Sequence, residues 1–143
     1  DANNVCRSLA HGRSKCGAKL AVAAPEKYGL PEAFVKSLGA NSGVEQTTDP
    51  AKAVEGADVI YTDVWTSMGQ EHESEERRKT FKDYQVNQEL VEKAPKAIVM
   101  HCLPAHRGEE IADQVLDGPQ SVVYDQAENR LHVQRALLSI LLG

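Results

Sequence analysis

Residues 97–107 read AIVMHCLPAHR. Four apolar residues in unbroken succession are short for a helix and read as a buried strand. Directly beyond them stand His101, Cys102, His106 and Arg107, with Pro104 restricting the backbone between them. Ligands of a parallel α/β sheet bind beyond the carboxyl ends of its strands, so a buried strand that empties into such a cluster marks a candidate site.

The pattern repeats on either side. Residues 58–64 (DVIYTDV) form a strand that runs into Asp63-Val-Trp-Thr-Ser-Met-Gly69, and residues 121–124 (SVVY) form one that runs into Asp125-Gln-Ala-Glu-Asn-Arg130. Two further strands are expected at 18–24, between Gly17 and Pro25, and at 44–47. Helices are expected at 3–16, 31–38, 50–56, 87–93, 109–116 and 125–142, several with a capping Asn or Asp, an early proline or a closing glycine. Strands alternating with helices predict an α/β fold: a Rossmann-like, mostly parallel sheet flanked by helices on both faces. The charged stretch 69–79 (GQEHESEERRK) reads as a loop or an exposed helical turn.

Both ends shape that expectation. The opening DANN leads straight into a helix, like the far side of a strand-to-helix turn, so the sheet is expected to be missing its first strand. Near its end the last helix is apolar almost all round, with Leu131, Val133, Leu137, Leu138, Ile140, Leu141 and Leu142, and needs cover on more than one side. The reading is a piece of a longer protein.

Composition narrows the function classes. The 143 residues are 41% hydrophobic and 26% charged, the balance of a globular domain long enough to build a core without disulfides. A net charge of −5 argues against a general nucleic-acid binder. No apolar run approaches a membrane span, and no basic leader with an apolar core is evident. Three sparse cysteines (Cys6, Cys16 and Cys102) suit a reducing cytosol better than a disulfide framework. Cys6 and Cys16 read as small core residues of the first helix, and Cys102 as the principal reactive thiol. GxGxxG is absent, so there is no phosphate cradle for a nicotinamide cofactor. His101, Cys102 and His106 lack a fourth ligand at a zinc spacing, so no metal or other cofactor is expected.

Each polar cluster also has a structural reading. Asp63 could cap a turn, Ser67-Met68-Gly69 could be an ordinary turn, Asn4 could cap the first helix, and Asp125 could cap the last, with Glu128 at capping-box spacing. The HCLPAHR run is harder to explain as structure, because a core has no need of that mixture.

Three segments together resemble the ornithine carbamoyltransferases: the run from Asp63 to Gly69, His101-Cys-Leu-Pro104 followed by AHRGEE, and Glu128-Asn-Arg130. Aspartate carbamoyltransferase, the nearest relative, lacks the SMG loop and has proline where Cys102 stands. The resemblance covers essentially the whole chain, 1–143, as the second, ornithine-binding domain. The first domain's carbamoyl-phosphate motifs, Ser-Thr-Arg-Thr and His-Pro-x-Gln, do not occur. The resemblance implies that Asn4, Asp63, Ser67 and Met68 bind ornithine and that Cys102 takes a proton from the δ-amine. It implies that the Leu103 carbonyl and Arg130 contact the carbamoyl group, with Cys102 beside them. It further implies L-ornithine and carbamoyl phosphate as substrates, a cytoplasmic enzyme without cofactor, and a full-length trimer built through the first domain. A putrescine-type carbamoyltransferase and a non-catalytic amino-acid-binding module are the competing expectations.

The chemistry agrees with those roles. Attack on the carbamoyl carbon needs a neutral amine. Deprotonating a lysine-like ammonium at pH 7 costs about 4–5 kcal/mol, from a pKa about 3.4 units above the medium. A thiolate is a suitable acceptor, and His101 and cationic neighbours are expected to tune Cys102 toward it. Arg130 can donate to the carbamoyl oxygen as charge builds there.

Overall fold

The computed structural model describes residues 1–39, 42–66 and 71–143. Four short parallel strands carry the fold: β1 (Leu20–Ala23), β2 (Val44–Thr47), β3 (Val59–Thr62) and β4 (Ile98–His101). Among the described residues seven α-helices surround them: α1 (Asn4–Cys16), α2 (Glu32–Ser37), α3 (Pro50–Val54), α4 (Ser74–Phe81), α5 (Gln88–Glu92), α6 (Asp113–Leu116) and α7 (Val123–Leu142). The α/β reading holds, with one refinement. The strands form two parallel pairs, β1 with β2 and β3 with β4, rather than one continuous sheet. β1 and β3 both line one cleft of about 220 Å³.

Local chemistry accounts for the helix ends. The Asn3 side chain accepts from the Cys6 N–H at 3.0 Å and caps α1, and Gly17 closes that helix at φ +69°, a conformation that glycine adopts without strain. Asp49 accepts from the N–H groups of Ala51 and Lys52 ahead of Pro50, and Asn87 accepts from Leu90 N–H. The larger core gathers Val54, Ile60, Val86, Val91, Val99 and Ile111 around β3 and β4, and a smaller one gathers Ala2, Val22 and Leu30 beside β1.

Several expected elements are revised. The strand expected at 121–124 shrinks to a single bridge between Ser121 and Val99, because α7 already begins at Val123. Val123 is fully buried and anchors that helix, so its packing overrides the strand preference of a valine pair. Asp125 therefore lies inside α7 and is not its cap. Residues 109–112 stay outside α6. Within the expected loop at 69–79, residues from Ser74 onward form α4.

α4 exists for a reason hidden from charge counting. Arg77, only 5% exposed, pairs with Asp1 at 2.7 Å and Glu73 at 3.0 Å, donates to the Trp65 carbonyl at 3.1 Å and lies over the Tyr28 ring. A buried guanidinium with all these partners ties the chain's start to α4. Phe81 ends the helix among Tyr28, Trp65 and Tyr84. On α1, Ala10 is buried while Cys16 is exposed and Cys6 half-buried, so only Cys6 fits the expected core role. The end of α7 is open to solvent, with Ile140, Leu141 and Leu142 each more than three-quarters exposed. Among the described residues no helix is long and apolar enough to cross a membrane.

Phe81→Ala removes the centre of this aromatic cluster. It should cost about 3–5 kcal/mol, the usual range for deleting a buried phenyl ring, read as a lower midpoint in urea unfolding.

Candidate functional site

The β3–β4 register sets the site. Thr62 and His101 are Cα partners in a parallel pair, so the next residues, Asp63 and Cys102, emerge side by side at the carboxyl edge. The Cys102 thiol donates to Asp63 Oδ1 at 2.9 Å. That oxygen also accepts from the Val64 N–H at 2.8 Å, and Oδ2 accepts from Asn3 Nδ2 at 2.8 Å. Asp63 thus both caps its own turn and faces the Cys102 thiol. Asn3 carries a double duty too, capping α1 with its oxygen and holding Asp63 with its amide.

Cys102 is not the activated thiolate expected from sequence. Partial burial pushes its pKa up to about 11, and the hydrogen bond and charge of Asp63 push the same way; only Tyr61 and a backbone donor oppose them. Tyr61 is itself raised to about 12, chiefly by burial. The expected tuning by His101 does not occur, because that ring is turned inward. His101 Nδ1 accepts from the Leu103 N–H at 2.8 Å, which leaves the proton on Nε2, donated to Glu110 Oε1 at 3.0 Å. Both side chains are fully buried. Glu110 Oε1 also accepts from the His106 N–H at 2.6 Å. This pair holds the turn after β4, where Leu103 sits at φ +55°, a left-handed strain of about 1–2 kcal/mol for a residue with a Cβ.

With both His101 nitrogens engaged, the set His101, Cys102 and His106 cannot act together as metal ligands. His106, Glu109 and Glu110 do lie within 4.8 Å of one another. Glu109 is nevertheless paired with Arg78 at 2.9 Å and Glu110 with His101, so these carboxylates already have cationic or donor partners.

The remaining expected residues spread around this centre. Asn4 is the exposed first residue of α1, adjoining Asn3, and lines a cavity that Tyr61 and Met100 also line. Arg130 is exposed on α7, one turn beyond Gln126 and therefore on the same helix face. Ser67 and Met68 lie outside the described residues. Sequence reasoning put Asn3 and Gln126 within the polar clusters at this edge without giving either a role, and it missed Tyr61 and Glu110. Strand alternation was the available signal for Tyr61, since residues two apart share a face and Tyr61 precedes Asp63 by two. Gln126 Oε1 accepts from the His101 N–H at 3.0 Å, a link over 25 positions that no local pattern announces.

Parallel strands whose carboxyl ends converge on a carboxylate, a thiol and amide donors define an α/β ligand-binding domain of the kind that ends in polar loops. The chain belongs to the aspartate/ornithine carbamoyltransferase family, whose Asp/Orn binding domain it matches over residues 1–141. It is 56% identical to the ornithine carbamoyltransferase of Pyrococcus abyssi across its whole length, covering 47% of that protein. The crystal structure of ornithine carbamoyltransferase from Pyrococcus furiosus superposes with a TM-score of 0.88 at 56% identity, over 97% of this chain and 46% of that one. The anabolic enzyme of Campylobacter jejuni reaches 0.89 at 32% identity, over 99% and 48%. The chain thus spans about half the length of the curated relatives it matches.

The exposed Cys16, not Cys102, should be the first cysteine alkylated by iodoacetamide at neutral pH, a reversal of the expectation from sequence. Asp63→Asn keeps the shape and deletes the charge. It should lower the Cys102 pKa by about one unit and speed its alkylation at pH 8 about tenfold, scored by peptide mapping.

Proposed function

We propose that this chain is the ornithine-binding half of an ornithine carbamoyltransferase, which moves the carbamoyl group of carbamoyl phosphate to the δ-amine of L-ornithine and releases citrulline and phosphate. The observation that carries the reading is the Asp63–Cys102 contact of 2.9 Å at the sheet's carboxyl edge. The names of the relatives support it.

In this reading Asp63 supplies the negative charge that receives an ammonium group. Asn4, Ser67 and Met68 hold the α-amino and α-carboxylate groups. An ammonium beside Asp63 also places positive charge near Cys102 and favours its thiolate. The thiol proton leaves to bulk water as the positive charge arrives, Asp63 stays ionised, and the sulfur then takes a proton from the δ-ammonium. With a pKa near 11, Cys102 is closely matched to an alkylammonium at about 10.4, so that transfer is nearly thermoneutral. The freed amine attacks the carbamoyl carbon, the Leu103 carbonyl accepts from the carbamoyl N–H, and Arg130 donates to the carbamoyl oxygen. The C–N bond forms as the bond to phosphate breaks, and the proton lost by the attacking nitrogen leaves with the phosphate. No cofactor enters this transfer.

The other substrate needs groups that these 143 residues lack, because the Ser-Thr-Arg-Thr and His-Pro-x-Gln motifs do not occur. The two-domain protein acts in the cytoplasm as a trimer or a multiple of it, and the apolar end of α7 packs on the carbamoyl-phosphate domain. The separate 143-residue chain self-associates through that helix and has no activity of its own, since transfer requires both reactants at near-attack distance.

Calorimetry with ornithine and with putrescine tests the substrate. Ornithine should bind and putrescine should not, and Asp63→Asn should weaken ornithine by about one to two decades, as expected for losing a charged hydrogen bond. A citrulline assay at saturating concentrations of both substrates should give no turnover with the 143-residue chain and recover it on adding the carbamoyl-phosphate domain. Turnover by the chain alone would overturn the two-domain account, and binding without recovery would favour an amino-acid-binding module.

A further inference from the structure

The turn after β4 holds a group whose needs the fold leaves half met. Glu110 is fully buried, and its Oε1 accepts from His101 Nε2 at 3.0 Å and from the His106 N–H at 2.6 Å. Its Oε2 is buried with no hydrogen-bond partner among the described residues. The Leu103 N–H donates to His101 Nδ1, so that ring is neutral and brings Glu110 a donor but no positive charge. Buried charges are paired or bind metal ions, because apolar surroundings do not replace their hydration. Among the described residues, His106, Glu109 and Glu110 are the one set of three His, Cys, Asp or Glu side chains whose ligand atoms all lie within 4.8 Å of one another. We infer that these three residues form a site for a divalent transition-metal ion, Zn²⁺ by the chemistry of the donors. The inference is independent of the carbamoyltransferase reading.

The partners already described use only one oxygen of each carboxylate. Arg78 takes Glu109 Oε1 at 2.9 Å, and Glu109 Oε2 is the oxygen that faces His106 Nδ1, at 3.9 Å. That separation is too long for a hydrogen bond. Bond lengths to a tetrahedral zinc ion put its ligand atoms about 3.4 Å apart, so a small inward movement lets one ion bridge the pair. Glu110 is held by packing, whereas the His106 and Glu109 side chains are 50% and 27% exposed. These two can close onto an ion, and they leave it a path from solvent. The backbone gathers the set beforehand: the Glu109 N–H donates to the His106 carbonyl at 3.0 Å, and the Gly108 N–H to the Ile111 carbonyl at 2.9 Å.

The donor set selects the ion. One imidazole nitrogen with two carboxylates suits Zn²⁺ and its transition-metal neighbours, whereas Ca²⁺ and Mg²⁺ favour shells made of oxygen alone. Three protein ligands leave a fourth position for water. Two carboxylates balance one dication, so Arg78 becomes a surplus positive charge beside it and opposes binding.

The test is calorimetric titration of Zn²⁺ into the 143-residue chain carrying Cys16→Ser and Cys102→Ser, which removes thiols that would compete for the ion. This parent should bind one ion tightly. His106→Ala and Glu109→Gln, both at partly exposed side chains, should each weaken that binding by about ten- to a hundredfold, the loss expected from disturbing a metal's ligand shell. Arg78→Ala should tighten it. Glu110→Gln should abolish it, and if that buried change unfolds the chain by circular dichroism, the two exposed variants decide. No binding by the folded parent would overturn the proposal, and so would an affinity left unchanged by both His106→Ala and Glu109→Gln. The readout needs neither substrate, so its failure would leave ornithine binding untouched.

Discussion

The pairing of β3 with β4 in parallel register is the constraint on which the site depends. Opposite partners in a parallel ladder advance together, so Thr62 against His101 forces Asp63 and Cys102 to leave the sheet as neighbours. A shift of one residue would send one of the two side chains to the opposite face. The core beneath holds the register, with Ile60 and Val99 adjacent in the ladder and both buried. Packing energy spent on apolar strands thereby determines the distance between a thiol and a carboxylate 39 positions apart.

That distance governs reactivity in a way that cysteine content alone does not. A thiol beside a carboxylate in a half-buried cleft is held protonated, not activated. The protein adds hydrogen-bond donors around the carboxylate instead of a cation beside the sulfur. The fully buried His101–Glu110 pair acts from below, fixing one histidine tautomer and restraining the left-handed backbone at Leu103.

Elsewhere the molecule shows tightly tied segments and open apolar surface side by side. Arg77 binds the chain's first residue to α4 and lies close to the aromatic group around Phe81. By contrast, β1 and β3 share a cleft without pairing, and the last turns of α7 present leucines and an isoleucine to water. Unpaired strand edges and an apolar helix end are both surfaces that ordinarily seek a partner.

Much of this was legible in the residues themselves. Apolar runs of strand length, capping residues such as Asp49 and Asn87, and the polar clusters after residues 62 and 101 depend on local chemistry, so they could be read in order along the chain. The fold class and the candidacy of Asp63 and Cys102 followed from them. Tertiary structure decided the rest. Val122 and Val123 look like a strand but enter a helix, because Val123 is needed as a buried anchor against β4. Residues 74–81 look like a solvated charge run but form a helix, because Arg77 finds Asp1, 76 positions away. Cys102 looks like an activated thiol, yet burial and the Asp63 carboxylate on the neighbouring strand favour its protonated form. Periodicity and capping act over a few residues, and sequence records them directly. Burial and electrostatics act between groups that only folding brings together, and their outcome depends on distances that sequence does not contain.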